Sequence, residues 1–202
     1  MARKARRFVR QTGQRPYRKL FLIAAEGAKT EPQYFSMFNS PHATIQVNCL
    51  KCGHDSAPPQ VLKRMTTWLK KNGLKDSDEA WLVVDKDQWT DAQLKELLTW
   101  SQSKENYGFA LSNPKFEYWL LLHFEEGKGV DTARKCSERL RRYLKNYDKG
   151  IDLRKFTQDS ISKAVHQARL RDTPPCTGWP KSFGTTVYRL VEQFIAPEAG
   201  CR

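Results

Sequence analysis

No apolar run in this 202-residue chain reaches the roughly 18 residues needed to cross a bilayer, so a membrane-spanning protein is not expected. The apolar stretch behind the basic N-terminus, Leu20 to Ala25, is shorter than a secretory signal core and has no cleavage site after it. A cytoplasmic protein is the resulting expectation. Cysteine is sparse and odd in number: Cys49, Cys52, Cys136, Cys176 and Cys201 are scattered, which argues against a disulfide framework and for a reducing compartment. Cys49-Leu-Lys-Cys52-Gly-His54 opens like a zinc motif, but no second ligand pair follows at knuckle or ribbon spacing, and a closed site needs four ligands. Ile45, Val47 and Cys49 instead alternate as one face of a strand. No Gly-x-x-x-x-Gly-Lys-Ser/Thr loop is present, which removes the P-loop route to ATP hydrolysis. The histidines at 42, 54, 123 and 166 have no serine or cysteine partner at a recognisable spacing, so a nucleophilic triad is not expected either.

Acid is missing altogether from residues 1–19, which carry eight basic side chains. Residues 20–126 hold 11 basic and 14 acidic side chains, residues 127–172 hold 13 and 6, and residues 173–202 hold 3 and 2, within a total of +13. One acidic section is thus flanked by basic ones. Such a distribution suits a carboxylate site for a cation that works on phosphodiesters, because the basic surroundings attract the polyanion. The plainer alternative is that the basic runs are solvated faces and a tail.

The chain is long enough for one substantial core and a small appendage. Residues 1–18 read as a flexible basic arm without apolar period. Leu20 to Ala25 is a short, wholly apolar run, the mark of a buried parallel strand. Thr30 with Gln33 then predicts a capping box at a helix start, and Pro32 fits its first turn. A second strand is expected over Ala43 to Leu50 and a helix over Pro59 to Asn72, with Val61, Leu62, Met65, Trp68 and Leu69 as its apolar stripe. Trp81 to Val84 reads as the third strand, and Thr90 with Gln93 as a second capping box. Tyr107 to Leu111 reads as the fourth strand, with Ser112-Asn113-Pro114 opening another helix.

Alternation of this kind predicts an α/β fold with a mostly parallel four-stranded sheet flanked by helices. Beyond Gly127 the strand signal stops. Helices are expected near 131–147, 159–170 and 184–195, around an irregular Thr173 to Pro180 connection. The domain reading is a basic arm over 1–18, an α/β core over 19–126, and a basic helical extension over 127–202 packed on it.

Ligands of open parallel sheets sit beyond the carboxyl ends of the strands, and Glu26, Asp85 and Asp87 all occupy such ends. Side chains two apart in a strand project to one side, about 7 Å apart at Cα, so Asp85-Lys-Asp87 can close two carboxylates on one cation. Oxygen ligands without His or Cys favour Mg²⁺ or Mn²⁺. Glu26 beside that charge suits a ligand, a general base or a general acid. The other reading of Asp85 and Asp87 is a turn that starts the Thr90 helix. Glu117 and Glu31 each stand in a helix's first turn, where an acid serves either as a further ligand or for the dipole alone. Gly27 lets the turn after the first strand pass close to a ligand. Arg134, Arg141, Arg142 and Lys145 are the candidate phosphate contacts.

Taken in order, Glu26-Gly-Ala-Lys-Thr-Glu31-Pro-Gln-Tyr34-Phe35, Asp85-Lys-Asp87-Gln-Trp89, Ser112-Asn113-Pro114-Lys-Phe116-Glu117-Tyr-Trp119-Leu-Leu-Leu122-His123-Phe124 and Gly184-Thr-Thr-Val187-Tyr-Arg-Leu190-Val191 resemble the RloB-like family, over about residues 18 to 195. Gly184 stands where that pattern would have Asn-Pro. The resemblance implies a compact Toprim-like domain, with Glu26 as the acid/base residue, Asp85 and Asp87 as Mg²⁺ ligands and Glu117 as an additional acid. It also implies a nuclease of bacterial antiphage defence, acting on DNA or RNA (transfer RNA included), with an AAA-type ATPase of the RloA kind as partner, and it leaves a homo-oligomer open. Two alternatives stand beside the nuclease. One is a nucleic-acid-binding subunit that performs no chemistry, and the other is a module that docks on the ATPase.

Overall fold

A computed structural model describes residues 17–52, 57–87, 89–145, 147 and 150–196. The basic arm lies outside these residues apart from Tyr17 and Arg18, which are tied down: Tyr17 bonds Asp78, and Arg18 reaches the Ser40 carbonyl at 3.1 Å. The apolar runs form strands β1 (Lys19–Ala25), β2 (Ile45–Cys49), β3 (Glu79–Asp85) and β4 (Tyr107–Asn113), all parallel, in the order β2-β1-β3-β4. A further strand, β5 (Gly184–Thr185), pairs antiparallel with the outer side of β4. The sheet therefore has five strands, not four, and the strand signal does not end at Gly127. β5 escaped notice because it is two residues long and polar; its buried hydroxyls do the joining. Thr185 Oγ1 meets Ser112 Oγ at 2.9 Å, and Thr186 Oγ1 accepts from the Leu111 N–H at 2.9 Å.

Alternate side chains of the buried strands feed two separate cores. Leu22, Ala24, Leu82, Val84 and Leu111 pack with Val61 and Met65 of α2 (Pro58–Asn72) and with Leu94 and Leu97 of α3 (Asp91–Ser101). Phe21, Ile23, Ala25, Trp81 and Val83 face a larger cluster made by α1 (Thr30–Ser36), α4 (Phe116–Leu121), α5 (Ala133–Tyr143), α6 (Gln158–Arg171) and α7 (Val187–Ile195). Trp81 lies across Gly108, its partner in β4, where an added Cβ would come within 2.3 Å of the indole. The result is an α/β arrangement compatible with a Toprim-like fold, with C-terminal helices on one face. Among the described residues, no helix is long and apolar enough to cross a membrane.

Capping chemistry decides two helix starts differently. At α3 the Thr90 side chain accepts from Gln93 N–H and Gln93 answers on Thr90 N–H, as the sequence predicts. At α1 the predicted box does not form. Lys29 is the cap residue and supplies no side-chain bond. Thr30 has its hydroxyl turned to Tyr147 at 3.3 Å, and Gln33 Oε1 accepts from the Ile151 N–H at 3.1 Å. Tertiary partners have taken both polar groups. The helix after β4 likewise begins at Phe116, not at the Ser112-Asn113-Pro114 turn.

α1 and α4 are clamped together by a buried polar pair. His123 Nδ1 is 3.1 Å from the Trp119 carbonyl, which can only accept, so Nδ1 carries the hydrogen and Nε2 accepts from Tyr34 Oη at 3.0 Å. Burial holds the His123 imidazole neutral, pushing its pKa down to about 3. An imidazole whose folded pKa lies below its unfolded value contributes full stability above the unfolded value and loses it as pH falls toward the folded one. The stability advantage of the native chain over His123→Gln should therefore shrink by about 2 kcal/mol between pH 7.5 and pH 5, at roughly 1.4 kcal/mol per pH unit below 6.5. Urea midpoints of the two proteins at both pH values measure this difference.

Candidate active site

The sheet order reverses between β1 and β3, because β1 connects toward β2 on one side while β3 lies on the other. Beyond the carboxyl ends of strands at such a reversal a crevice opens. A cavity of about 580 Å³ lies there, and Glu26, Glu31, Asp85, Asp87 and Glu117 all line it. Four segments supply these carboxylates: the β1 exit, the first turn of α1, the β3 exit and the first turn of α4. Lys29 and Lys115 line the cavity as well.

The backbone fixes the acids closely. The β1–β3 ladder runs one residue past the strand, with Glu26 N–H donating to the Val83 carbonyl at 2.9 Å. The Glu26 carboxylate folds back across the pair: Oε2 accepts from Asp85 N–H and Oε1 from the Trp89 indole N–H, each at 3.1 Å. The β3 exit is tied to the β4 exit by Lys86 N–H on the Ser112 carbonyl at 2.8 Å and Asp87 N–H on the Pro114 carbonyl at 2.9 Å. Asp87 sits at φ 26°, a region that Asp tolerates better than most residues. Glu31 is buried and its Oε1 accepts from Gly27 N–H at 2.9 Å. Gly27 leaves the room that this carboxylate fills: an added Cβ would lie 2.0 Å from Glu31 Oε2 and would displace it.

Burial and crowding set the charge state. Loss of water raises the Glu26 pKa, and the nearby Glu31 and Asp87 charges add to it against the two donated hydrogen bonds. Asp85 is raised well above the ordinary carboxylate range, first by removal from water and then by Glu31, Glu26 and Glu117, against the Phe116 N–H. Lys115 stands 3.8 Å from Glu117 Oε1, but its ammonium is also held by Ser137 Oγ at 2.6 Å. Lys29 makes no ion pair among the described residues.

This donor set, all carboxylate oxygen, has the chemistry of a hard divalent cation site. Among the described residues, no three of His, Cys, Asp and Glu are gathered closely enough to coordinate an ion as they stand. Coordination would need the Glu26, Asp85 and Asp87 carboxylates to close on the ion.

The other candidates fall elsewhere. Arg134, Arg141, Arg142 and Lys145 lie on α5 and just beyond it, exposed, and none lines the cavity, although Ala133 at the start of that helix does. Arg134 is paired with Glu138 at 2.8 Å. Cys49 ends β2 with its thiol pushed up to about 12 by burial, and Cys52 donates to the Glu26 carbonyl at 3.3 Å. His54 lies outside the described residues. Two site residues escaped the sequence reading: Trp89, bonded to Glu26, and Tyr147, bonded to Glu117 at 3.1 Å. The first was visible as the end of the Asp85-Lys-Asp87-Gln-Trp89 motif, whereas the second has no local signal.

The family model described as RloB-like protein matches residues 21–194. The chain belongs to the RloB-like family. No curated protein and no solved structure matches it. The family match runs from β1 through α7, so it takes in all five cavity acids together with the C-terminal helices.

A carboxyl whose folded pKa is raised above its unfolded value contributes stability below the unfolded value and loses it as pH rises through the folded one. In chelator, Asp85→Asn should thus stabilise the RloB-like fold at pH 8 by about 0.5–2 kcal/mol, as relief of a crowded site commonly does. That gain should vanish toward pH 4. Thermal melts of both proteins across this range provide the measurement.

Proposed function

We propose that the acidic cavity is a divalent-cation-dependent phosphodiesterase site, and that the protein cuts DNA or RNA. The observation that carries this reading is the meeting of five carboxylates from four chain segments at the sheet's switch point, in a chain that is otherwise strongly basic. Crowded acids that resist ionisation are relieved by a cation. Asp85 and Asp87 would hold Mg²⁺ or Mn²⁺, with Glu26 and Glu117 as further ligands. A bound cation of this kind neutralises charge on the phosphoryl and leaving oxygens. Glu26, steadied by the Asp85 and Trp89 N–H groups, takes the proton of the attacking water, or returns one to the oxygen released when the P–O bond breaks. The exposed bases of α5 hold the phosphate backbone. Family resemblance extends the proposal to a cytoplasmic antiphage system with an AAA-type ATPase of the RloA kind as partner.

The lack of a ready-made three-ligand group among the described residues favours a second reading, a nucleic-acid-binding or ATPase-docking subunit without chemistry. Incubation of the purified protein with labelled DNA and RNA in Mg²⁺, Mn²⁺ or EDTA separates the two. The nuclease reading expects cutting that EDTA abolishes and that Glu26→Ala or Asp85→Asn lowers by at least about 10²-fold. Cutting that survives EDTA or Glu26→Ala counts against it, and binding without cutting in either metal selects the second reading.

The bases that hold the backbone have their own signature. Arg141→Ala combined with Arg142→Ala should weaken binding evenly across sequences and reduce the slope of log affinity against log salt by about 1 for each phosphate that is no longer neutralised. Fluorescence anisotropy over a salt series measures that slope.

A further inference from the structure

Tyr147 reaches the acidic cavity from the C-terminal half of the chain, beyond the end of α5. Its hydroxyl donates to Glu117 Oε1 at 3.1 Å and lies 3.3 Å from Thr30 Oγ1. Glu117 belongs to α4 and Thr30 to α1, and both line the cavity. One phenol from a third segment therefore joins two of its walls. The polarity of this chain of bonds follows from chemistry. The phenol gives its single hydrogen to Glu117, so the Thr30 hydroxyl hydrogen goes to the tyrosine oxygen. Bonds in such a series polarise one another and strengthen the last.

Described residues on either side of Tyr147 are held in place. Leu144 is buried before it, and after it the Ile151 N–H is held by Gln33 of α1 at 3.1 Å. Lys115, 3.8 Å from the same Glu117 oxygen, is held in turn by Ser137 of α5. Both groups that address Oε1 are thus fixed by the C-terminal segment, and among the described residues nothing bonds Oε2. A carboxylate gripped by one oxygen presents the other in a defined direction, as outer partners do for ligating side chains.

We infer that Tyr147 is a positioning residue for Glu117, orienting that carboxylate toward a divalent cation in the cavity; this rests on the cation-dependent reading above. Tyr147→Phe removes the hydroxyl and keeps the ring. Titration of the full chain with Mn²⁺ by calorimetry should show affinity weakened about tenfold, the lower end of what loss of such a partner costs. The metal concentration for half-maximal cutting should rise in step, with the maximal rate kept within about threefold. In a Glu117→Ala background the same substitution should change Mn²⁺ affinity by less than about twofold, because a group acting through another adds nothing once that other is gone.

Equal weakening in both backgrounds, unchanged affinity in Tyr147→Phe, or a Tyr147→Phe protein that does not fold would overturn the inference and leave the phenol a packing group. A native chain that neither binds Mn²⁺ nor cuts would instead remove the cation-dependent reading itself, and this inference with it.

Discussion

The pairing of β1 with β3 is the constraint on which the rest of the molecule depends. Parallel strands place their carboxyl ends side by side, and the ladder here continues one residue further, through Glu26 N–H to the Val83 carbonyl. That extra rung puts the Glu26 carboxylate on the Asp85 amide. Had the strands been antiparallel, their carboxyl ends would lie at opposite edges of the sheet and the two acids would never meet. The interior spacing of apolar side chains and the exterior crowding of charge are thus set by one register. The cost of the crowding is visible in the raised protonation of Glu26 and Asp85, and the apolar strands beneath supply the stability that tolerates it.

The sheet separates two kinds of work. On one face α2 and α3 close a core that also takes in Trp179 from the C-terminal part of the chain. On the other, α1 and α4 carry site residues, and the C-terminal helices cover them with aromatic side chains and hydrogen bonds. Tyr34 stands at the centre of this second layer, edge-on to Phe35, Phe116, Trp119 and Phe156 while its hydroxyl serves His123. Asp172 does comparable work further out, accepting from Tyr188, Arg189 and the Cys176 amide. Burial opposes its charge, but these donors prevail and hold its pKa below the usual carboxylate value.

What the amino-acid sequence made legible follows from how local each signal is. A buried parallel strand must be apolar along its whole length, so Phe21-Leu-Ile-Ala-Ala and Trp81-Leu-Val-Val could be read directly, along with the acids that end them. Thr90 with Gln93 was legible because both partners of that cap lie within one turn. The same pattern at Thr30 misled, since its atoms are claimed by Tyr147 and Ile151, more than a hundred residues away. β5 was hidden for a related reason: two residues carry no period, and its pairing is declared by Ser112 and Leu111, not by itself. Glu31 looked like a dipole residue or a ligand, and only the structure shows its carboxylate occupying the room that Gly27 leaves.

Phe194 of α7 packs edge-on against Phe21 of β1, with ring centroids 4.8 Å apart. The first strand is therefore shielded in part by the last helix described. During synthesis, which proceeds from the N-terminal end, the Phe21 ring has to wait for its Phe194 neighbour until α7 has been made. A chain made only as far as α4 would have all five cavity acids but neither Tyr147 nor the helices that cover α1 and α4, so the acids are made well before the groups that steady them.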